Sequence, residues 1–213
     1  MHMNVRNAWI AATLPGEPAP ALPEPAVPAL PTVTGAAGPQ QGMTGPDSAD
    51  RLPRKTMGRT AAVWIIGTHG GAGETALSQL IVESQAASHS WPVSSIHDGN
   101  KPRVLLVCRS HMTGLRTAQK ALTEWASGTS PPVELLGLAI LADAPGRLPK
   151  PLRDFAAIVS GGAPRTWHLP WIEAWRLGEP PTTIPKELRT FITDINTLLP
   201  QPAGSPPGLE KSQ

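Results

Sequence analysis

The chain has 213 residues with a formal net charge of +2, and its 26 prolines and 20 glycines are many for a globular protein. No dense lysine or arginine run accompanies this mild charge, so the sequence does not support a nucleic-acid partner. A single cysteine, Cys108, excludes an internal disulfide and is typical of the reducing cytoplasm. The longest apolar runs are far shorter than the about 20 residues that cross a bilayer, so we expect a cytoplasmic protein without a membrane span.

Prolines are concentrated near the two ends of the chain. Residues 1–59 and 200–213 also lack regular apolar spacing, so they cannot bury enough surface to offset the entropic cost of ordering. We therefore predict disordered tails over 1–59 and 200–213 and a single domain over 60–199. The closely spaced prolines of residues 15–31 favour extended polyproline II, either as a spacer or as a peptide ligand that recruits a partner.

The first elements of the predicted domain are a strand, a glycine-rich turn and a helix. Residues 61–67 form an apolar run that ends in glycine, which indicates a buried strand. Residues 68–75 form the turn, and a helix-like segment follows it. The apolar face of that helix contains Leu77, Leu80 and Ile81. Residues 88–102 are rich in turn-forming residues and predict a loop.

Strands and helices alternate through the rest of the domain. Apolar runs predict strands over 103–109 and 133–142 and a strand edge over 166–170, and a last amphipathic helix begins after Pro185. The helix that follows the strand at 103–109 has an apolar and a solvated face. The apolar face contains Leu115, Ala118, Leu122 and Trp125, and the solvated face contains Arg116, Lys120 and Glu124. This order predicts a single three-layer α/β domain with a mostly parallel sheet and helices on both faces.

The turn at residues 68–75 reads Thr-His-Gly-Gly-Ala-Gly-Glu-Thr. A glycine-rich turn between a strand and a helix is where backbone N–H groups can hold phosphate, and Thr75 would offer its hydroxyl to Mg²⁺ if a Mg-nucleotide bound. The strict P-loop pattern fails twice, because Thr68 replaces its first glycine and Glu74 replaces its lysine. The candidate cofactor-binding residues are His69, Gly70, Gly71, Ala72, Gly73, Glu74, Thr75 and Asp143.

The turn resembles the deviant Walker motif K-G-G-x-G-K-[ST] of the ParA/MinD-like partition ATPases, with the glycines and the threonine in register. The resemblance implies a P-loop NTPase fold, ATP with Mg²⁺ as ligand, and a homodimer around ATP. In that family the lysine that matches Glu74 contacts the phosphates, and the lysine that matches His69 reaches across the dimer; this sequence has neither lysine. Residues 169–180 are similar to a later Pro- and Gly-containing stretch of the same family. The core also resembles an uncharacterised actinobacterial family with an HGGAGE loop.

Asp143 ends the predicted strand at 133–142 and is followed by Ala-Pro-Gly. Residues 88–102 leave no room for the Walker B strand that the partition ATPases carry there, so Asp143 is one candidate to replace its aspartate. The alternative is that Asp143 belongs to a turn that ends the strand, as Asp, Pro and Gly commonly do.

The charge of Glu74 has the largest expected effect on whether the loop can bind phosphate. A helix N-terminus favours an anion by about 0.3–1 kcal/mol, whereas one unit-charge contact at ~4 Å is worth roughly 4 kcal/mol at an effective dielectric of ~20. The glutamate therefore outweighs the helix end, and we expect weak triphosphate binding and no efficient hydrolysis. One hypothesis is that Glu74 itself fills the phosphate cradle. The alternatives are a divergent nucleotide site and a glycine loop unrelated to phosphate.

Two functions remain open on the sequence alone. The first is a non-hydrolysing accessory or regulatory interaction protein without a firm cofactor, and the second is an ATP-binding switch related to the partition ATPases. For the first, Trp171, Trp175 and Arg176 are candidates for a docking patch for a protein partner, because aromatic residues beside an arginine are typical of interaction hot spots. The other interpretation of these tryptophans is core packing. The histidine spacing shows no metal-binding motif.

Overall fold

The computed structural model describes residues 30–95 and 100–200. The predictions of disorder for residues 1–29 and 201–213 lie outside the described residues. The strands are β1 (Arg54–Met57), β2 (Val63–Gly67), β3 (Ser84–Ala86), β4 (Trp91–Ser94), β5 (Arg103–Arg109), β6 (Glu134–Leu141) and β7 (Thr166–Leu169). The helices are α1 (Glu74–Ser78), α2 (Met112–Ala126), α3 (Lys150–Ser160), α4 (Glu173–Arg176) and α5 (Lys186–Leu198).

Five of these strands form one parallel sheet in the order β3-β2-β5-β6-β7. Its central strand β5 is apolar along its whole interior because both faces of the sheet are covered. Val104 and Leu106 pack into the cluster that contains α2 and α3 side chains. Leu105 and Val107 pack into the opposite cluster, which contains side chains of α1 and α5. The predicted α/β architecture with helices on both faces is therefore confirmed.

The two remaining strands, β1 and β4, pair in parallel as a separate ribbon. The sequence predicted only a loop over 88–102, and that prediction was wrong for β4. Trp91 is fully buried, and its ring joins the same core cluster as α2. The indole supplies enough apolar surface to hold this short strand against the domain despite the turn-forming residues around it.

The segment before residue 60 also contacts the domain. The N–H of Thr34 donates to the carbonyl of Pro164 at 2.9 Å, and the N–H of Ala36 donates to that of Gly161 at 3.1 Å. Arg165 Nε donates to the carbonyl of Pro31 at 2.8 Å. The composition predicts a domain that starts at residue 60, whereas this packing and β1 extend the contacts back to residue 31. The contacts are made largely by backbone groups, which leave no apolar pattern in the sequence.

Glu124 on α2 was predicted to face solvent, and that prediction was wrong. Its side chain is fully buried. Its Oε2 accepts from Trp91 Nε1 at 2.8 Å and from the N–H of Leu52 at 3.0 Å. On an isolated α2 the helical period would place Glu124 opposite the core face, toward solvent. In the folded chain the β1–β4 ribbon and the segment before it cover that side of α2.

Candidate functional site

The glycine loop (residues 68–73) connects β2 to α1 at the carboxyl edge of the sheet. In open parallel sheets this edge is where ligands bind. The ends of β5, β6 and β7 meet the loop there, because all five strands run in the same direction. The helix that follows the loop is short: α1 ends at Ser78, so Ile81 is buried beyond the end of the helix rather than on it.

Two glycines of this region are required by packing. Gly73 has φ +104°, and a Cβ there would lie 2.5 Å from Leu141 Cδ2. A Cβ at Gly67 would lie 2.8 Å from Nδ1 of His89. By contrast, a Cβ at Gly70 or Gly71 would meet nothing within 4 Å, so the outer surface of the loop is open. The tight part of the loop therefore follows from contacts inside the protein, and only its outer part is free for a ligand.

Glu74 is buried at the start of α1, with 6% of its surface exposed. Its partner is His89, whose left-handed backbone (φ +55°) brings both its N–H and its ring to the carboxylate. The N–H of His89 lies 3.4 Å from Glu74 Oε1, and its Nδ1 lies 3.2 Å from Oε2. The same Nδ1 lies 2.8 Å from the carbonyl of Gly67 and must carry the proton, since a carbonyl only accepts. The Glu74 carboxylate thus bonds to the connection between β3 and β4, and no described amide of the glycine loop donates to it.

His69 is wedged between the glycine loop and the beginning of α2. Its Nδ1 lies 2.8 Å from the carbonyl of Gly70 and donates to it, and its Nε2 accepts from the N–H of Arg109 at 3.1 Å. This pattern requires the neutral ring. Burial, together with the positive charges of neighbouring groups, lowers the pKa of His69, in agreement with that geometry. A Cβ at Gly114 would lie 2.9 Å from His69 Nε2, so this glycine allows the ring to pack onto α2.

Arg109, at the end of β5, bridges the glycine loop and β6. Its Nε donates to the carbonyl of Gly71 at 3.2 Å, and its Nη1 donates to that of Ala142 at 2.9 Å. Burial lowers the pKa of Arg109 and the nearby carboxylate of Asp143 acts in the opposite direction. The sequence pattern predicts that Arg109 ends a strand and indicates no functional role for it. Its position as the last residue of a strand beside the loop was the signal that could have identified it.

These elements enclose an open polar cavity of about 210 Å³, which we call the strand-end cleft. The open backbone of Gly70 and Gly71 forms one wall. The side chains that give the cleft its chemistry are His69, Arg109, His111, Asp143, Trp171 and Arg176. His111 caps α2, because its Nδ1 accepts from the N–H of Gly114 at 2.9 Å.

The structure brings together some of the candidate residues and separates others. His69, Gly70, Gly71 and Asp143 border the strand-end cleft. The remaining candidates do not: Ala72 and Glu74 are buried, Gly73 packs against Leu141, and Thr75 is exposed on α1.

Asp143 is exposed at the end of β6, and its N–H donates to Ser110 Oγ at 3.1 Å. It lies in the bend that follows β6. This is the position expected if Asp143 belongs to a turn that ends the strand.

The tryptophans divide between packing and the cleft. Trp167 lies on β7, donates from Nε1 to Asp194 at 2.8 Å and packs edge-on against Phe191. Trp175 is half-buried against the core cluster, and Trp171 is half-buried with its Nε1 donating to Glu173 at 2.6 Å. The proposed docking patch is therefore not a pair of fully exposed indoles. Trp171 and Arg176 instead border the strand-end cleft.

Two observations concern other kinds of site. Among residues 30–95 and 100–200, no group of three or more His, Cys, Asp or Glu side chains is placed to hold a metal ion. None of the helices in these ranges combines the length and the apolar character that a membrane crossing requires.

The fold and this edge define an α/β protein with an open parallel sheet and a glycine loop between its second strand and first helix. Comparison with known families identifies it further. The chain belongs to a family of unknown function (DUF6668), which matches residues 61–192, from just before β2 into α5. No curated protein and no solved structure matches the chain.

Proposed function

We propose that this protein is a non-hydrolysing accessory or regulatory interaction protein with a P-loop-like domain whose loop no longer holds a nucleotide. The observation that carries the proposal is Glu74, a buried carboxylate at the position where the partition ATPases have a phosphate-contacting lysine. Its contacts with His89 hold the Glu74 carboxyl group in place at the start of α1, directly after the loop. A triphosphate in the pose of those ATPases would meet repulsion there instead of attraction.

The packing of the glycines in and next to the loop supports the same conclusion. Gly67 and Gly73 are explained by His89 and Leu141, without any ligand. His69 occupies the position of the other lysine of the partition ATPases, and both of its ring nitrogens form hydrogen bonds within the protein. The side chains that would grip a nucleotide are thus replaced by side chains that hold the loop to β5 and to the β3–β4 connection.

The surroundings of Asp143 support the proposal that the protein does not hydrolyse ATP. A Walker B aspartate acts through Mg²⁺ beside the phosphates. Asp143 instead borders the strand-end cleft together with Arg109, whose lowered pKa its carboxylate partly offsets. Thr75, the other side chain expected near Mg²⁺, is exposed on α1 and does not border the strand-end cleft. The two groups are therefore not arranged around one cavity.

Isothermal titration of the full chain with Mg·ATP tests the proposal. We expect no micromolar binding by the wild type and no phosphate release on prolonged incubation. Glu74→Lys introduces the positive charge that the partition ATPases have at this position, and the variant should bind Mg·ATP more tightly than the wild type. Glu187→Lys, on the exposed part of α5, is the matched control for the same change in net charge. Micromolar binding by the wild type would refute the proposal.

The second candidate function is a divergent ATP-binding switch of the ParA/MinD-like type, linked to partition or mobile-element maintenance. The open surface at Gly70 and Gly71, beside the cationic strand-end cleft, is the observation that favours it. The resemblance implies a homodimer around ATP. Analytical ultracentrifugation with and without Mg·ATP distinguishes the two functions, because a switch would dimerise with the nucleotide and an accessory protein of the first kind would sediment unchanged.

A further inference from the structure

The strand-end cleft contains two arginines that approach one another from different elements. Arg109 comes from the end of β5, and Arg176 comes from the end of α4. Both line the same cavity of about 210 Å³. Burial, together with the charge of Arg176, lowers the pKa of Arg109. Asp143 supplies one negative charge nearby, and His69 is held neutral by its hydrogen bonds. The cleft therefore carries a net positive charge.

Arg109 is fixed in advance of any ligand. Its bonds to the carbonyls of Gly71 and Ala142 use Nε and Nη1, and no described group accepts from its Nη2. A guanidinium that is already immobilised loses little conformational freedom when it binds an anion.

Arg176 complements this fixed group. It is exposed, and within the described ranges it has neither a hydrogen bond nor an ion pair. Its planar donors are therefore free to pair with an oxyanion. The half-buried indole of Trp171 lies in the same cleft and offers an aromatic surface for the rest of a ligand.

We propose that Arg109 and Arg176 form an oxyanion-binding site in the strand-end cleft, which takes the phosphate or carboxylate group of a small molecule. Gly70 and Gly71 carry no side chains and have open space outside them, so this wall of the cleft leaves room for such a group. A cavity of about 210 Å³ limits the ligand to a small molecule. This site does not depend on the proposed function, since its charges come from strand and helix ends and not from the glycine loop.

Titration of the full chain with inorganic phosphate, at constant ionic strength maintained with chloride, tests the site. We expect saturable binding by the wild type and affinity weaker by about tenfold or more in Arg176→Gln, which removes charged hydrogen bonds. Arg153→Gln changes an exposed arginine on α3 that does not border the cleft and should leave the affinity unchanged. Titration with malonate in parallel distinguishes a phosphate preference from a carboxylate preference.

Arg109→Gln is a second variant, and its thermal unfolding is measured first because Arg109 also holds the loop. If it remains folded, it should lose phosphate and malonate binding as Arg176→Gln does. The site is refuted if the wild type binds neither anion, or if Arg176→Gln and Arg153→Gln bind equally well. These results are separate from the Mg·ATP titration, so failure of this site and failure of the proposed function are distinguishable.

Discussion

Replacing Gly73 by alanine is the most direct test of whether the glycine loop is determined by packing. At φ +104° a residue with a Cβ is strained by about 1–2 kcal/mol. The new methyl group would also lie 2.5 Å from Leu141 Cδ2, which must move within a fully buried environment. Such overpacking typically costs about 1–3 kcal/mol. We therefore expect Gly73→Ala to lower the free energy of unfolding by about 2–5 kcal/mol, a large part of the roughly 5–15 kcal/mol of a typical domain.

Urea unfolding followed by tryptophan fluorescence measures this change, and the chain has 7 tryptophans to report it. Gly70→Ala is the matched control in the same loop, because its Cβ would meet nothing within 4 Å and its backbone is not left-handed. We expect that control to stay within about 0.5–1 kcal/mol of the wild type. A Gly73→Ala protein as stable as the wild type would refute the packing argument, and so would an equally large loss in Gly70→Ala.

Three further predictions concern buried polar groups. Glu124→Leu should lower the free energy of unfolding in urea by about 1–3 kcal/mol or more, because Trp91 Nε1 and the N–H of Leu52 would both lose the acceptor Oε2. An unchanged urea midpoint would contradict that role. His69 has a lowered pKa, so it binds a proton more readily when unfolded, and its contribution to stability should be complete above about pH 6.5 and be lost as the pH falls below that value. The urea midpoint should depend less on pH in His69→Gln than in the wild type. Burial raises the pKa of Cys108 to about 12, so a thiol reagent at pH 8 should label it only after unfolding; rapid labelling of the native protein would be the contrary result.

The layered core was predictable because its signals are local. The apolar runs of β5 and β6 and the three- and four-residue spacing on α2 depend on neighbouring residues only. Leu115 and Trp125 are buried on one face of α2 as their spacing predicted, and α5 begins after Pro185 as expected. The burial of Glu124 on the same helix depends on a contact with Leu52, which is far away in the sequence. Periodicity contains no information about which segment covers the outer side of a helix.

The candidate site was predictable only in its position. A strand, a glycine-rich turn and a helix located the edge of the sheet correctly, since that pattern is local as well. The partner of Glu74 was not predictable, because His89 reaches it through a left-handed backbone conformation in a segment without regular spacing. Arg109 presented a different difficulty, since an arginine that ends an apolar strand looks like an ordinary solvated residue. Its role follows from the carbonyls of Gly71 and Ala142, which become its neighbours only in the folded chain.

The glycine loop contains no lysine, which has a consequence for how this edge of the sheet can hold an anion. In a P-loop the attraction comes from the loop itself, so the glycines, the lysine and the helix end act on the same phosphate. Here the Glu74 carboxylate lies beneath the loop, and the positive charge lies across the cleft on Arg109 and Arg176. An anion drawn toward the arginines and repelled by Glu74 would bind away from α1. We therefore expect Arg176→Gln to affect anion binding strongly, while Thr75→Ala, beside Glu74 on α1, leaves it unchanged.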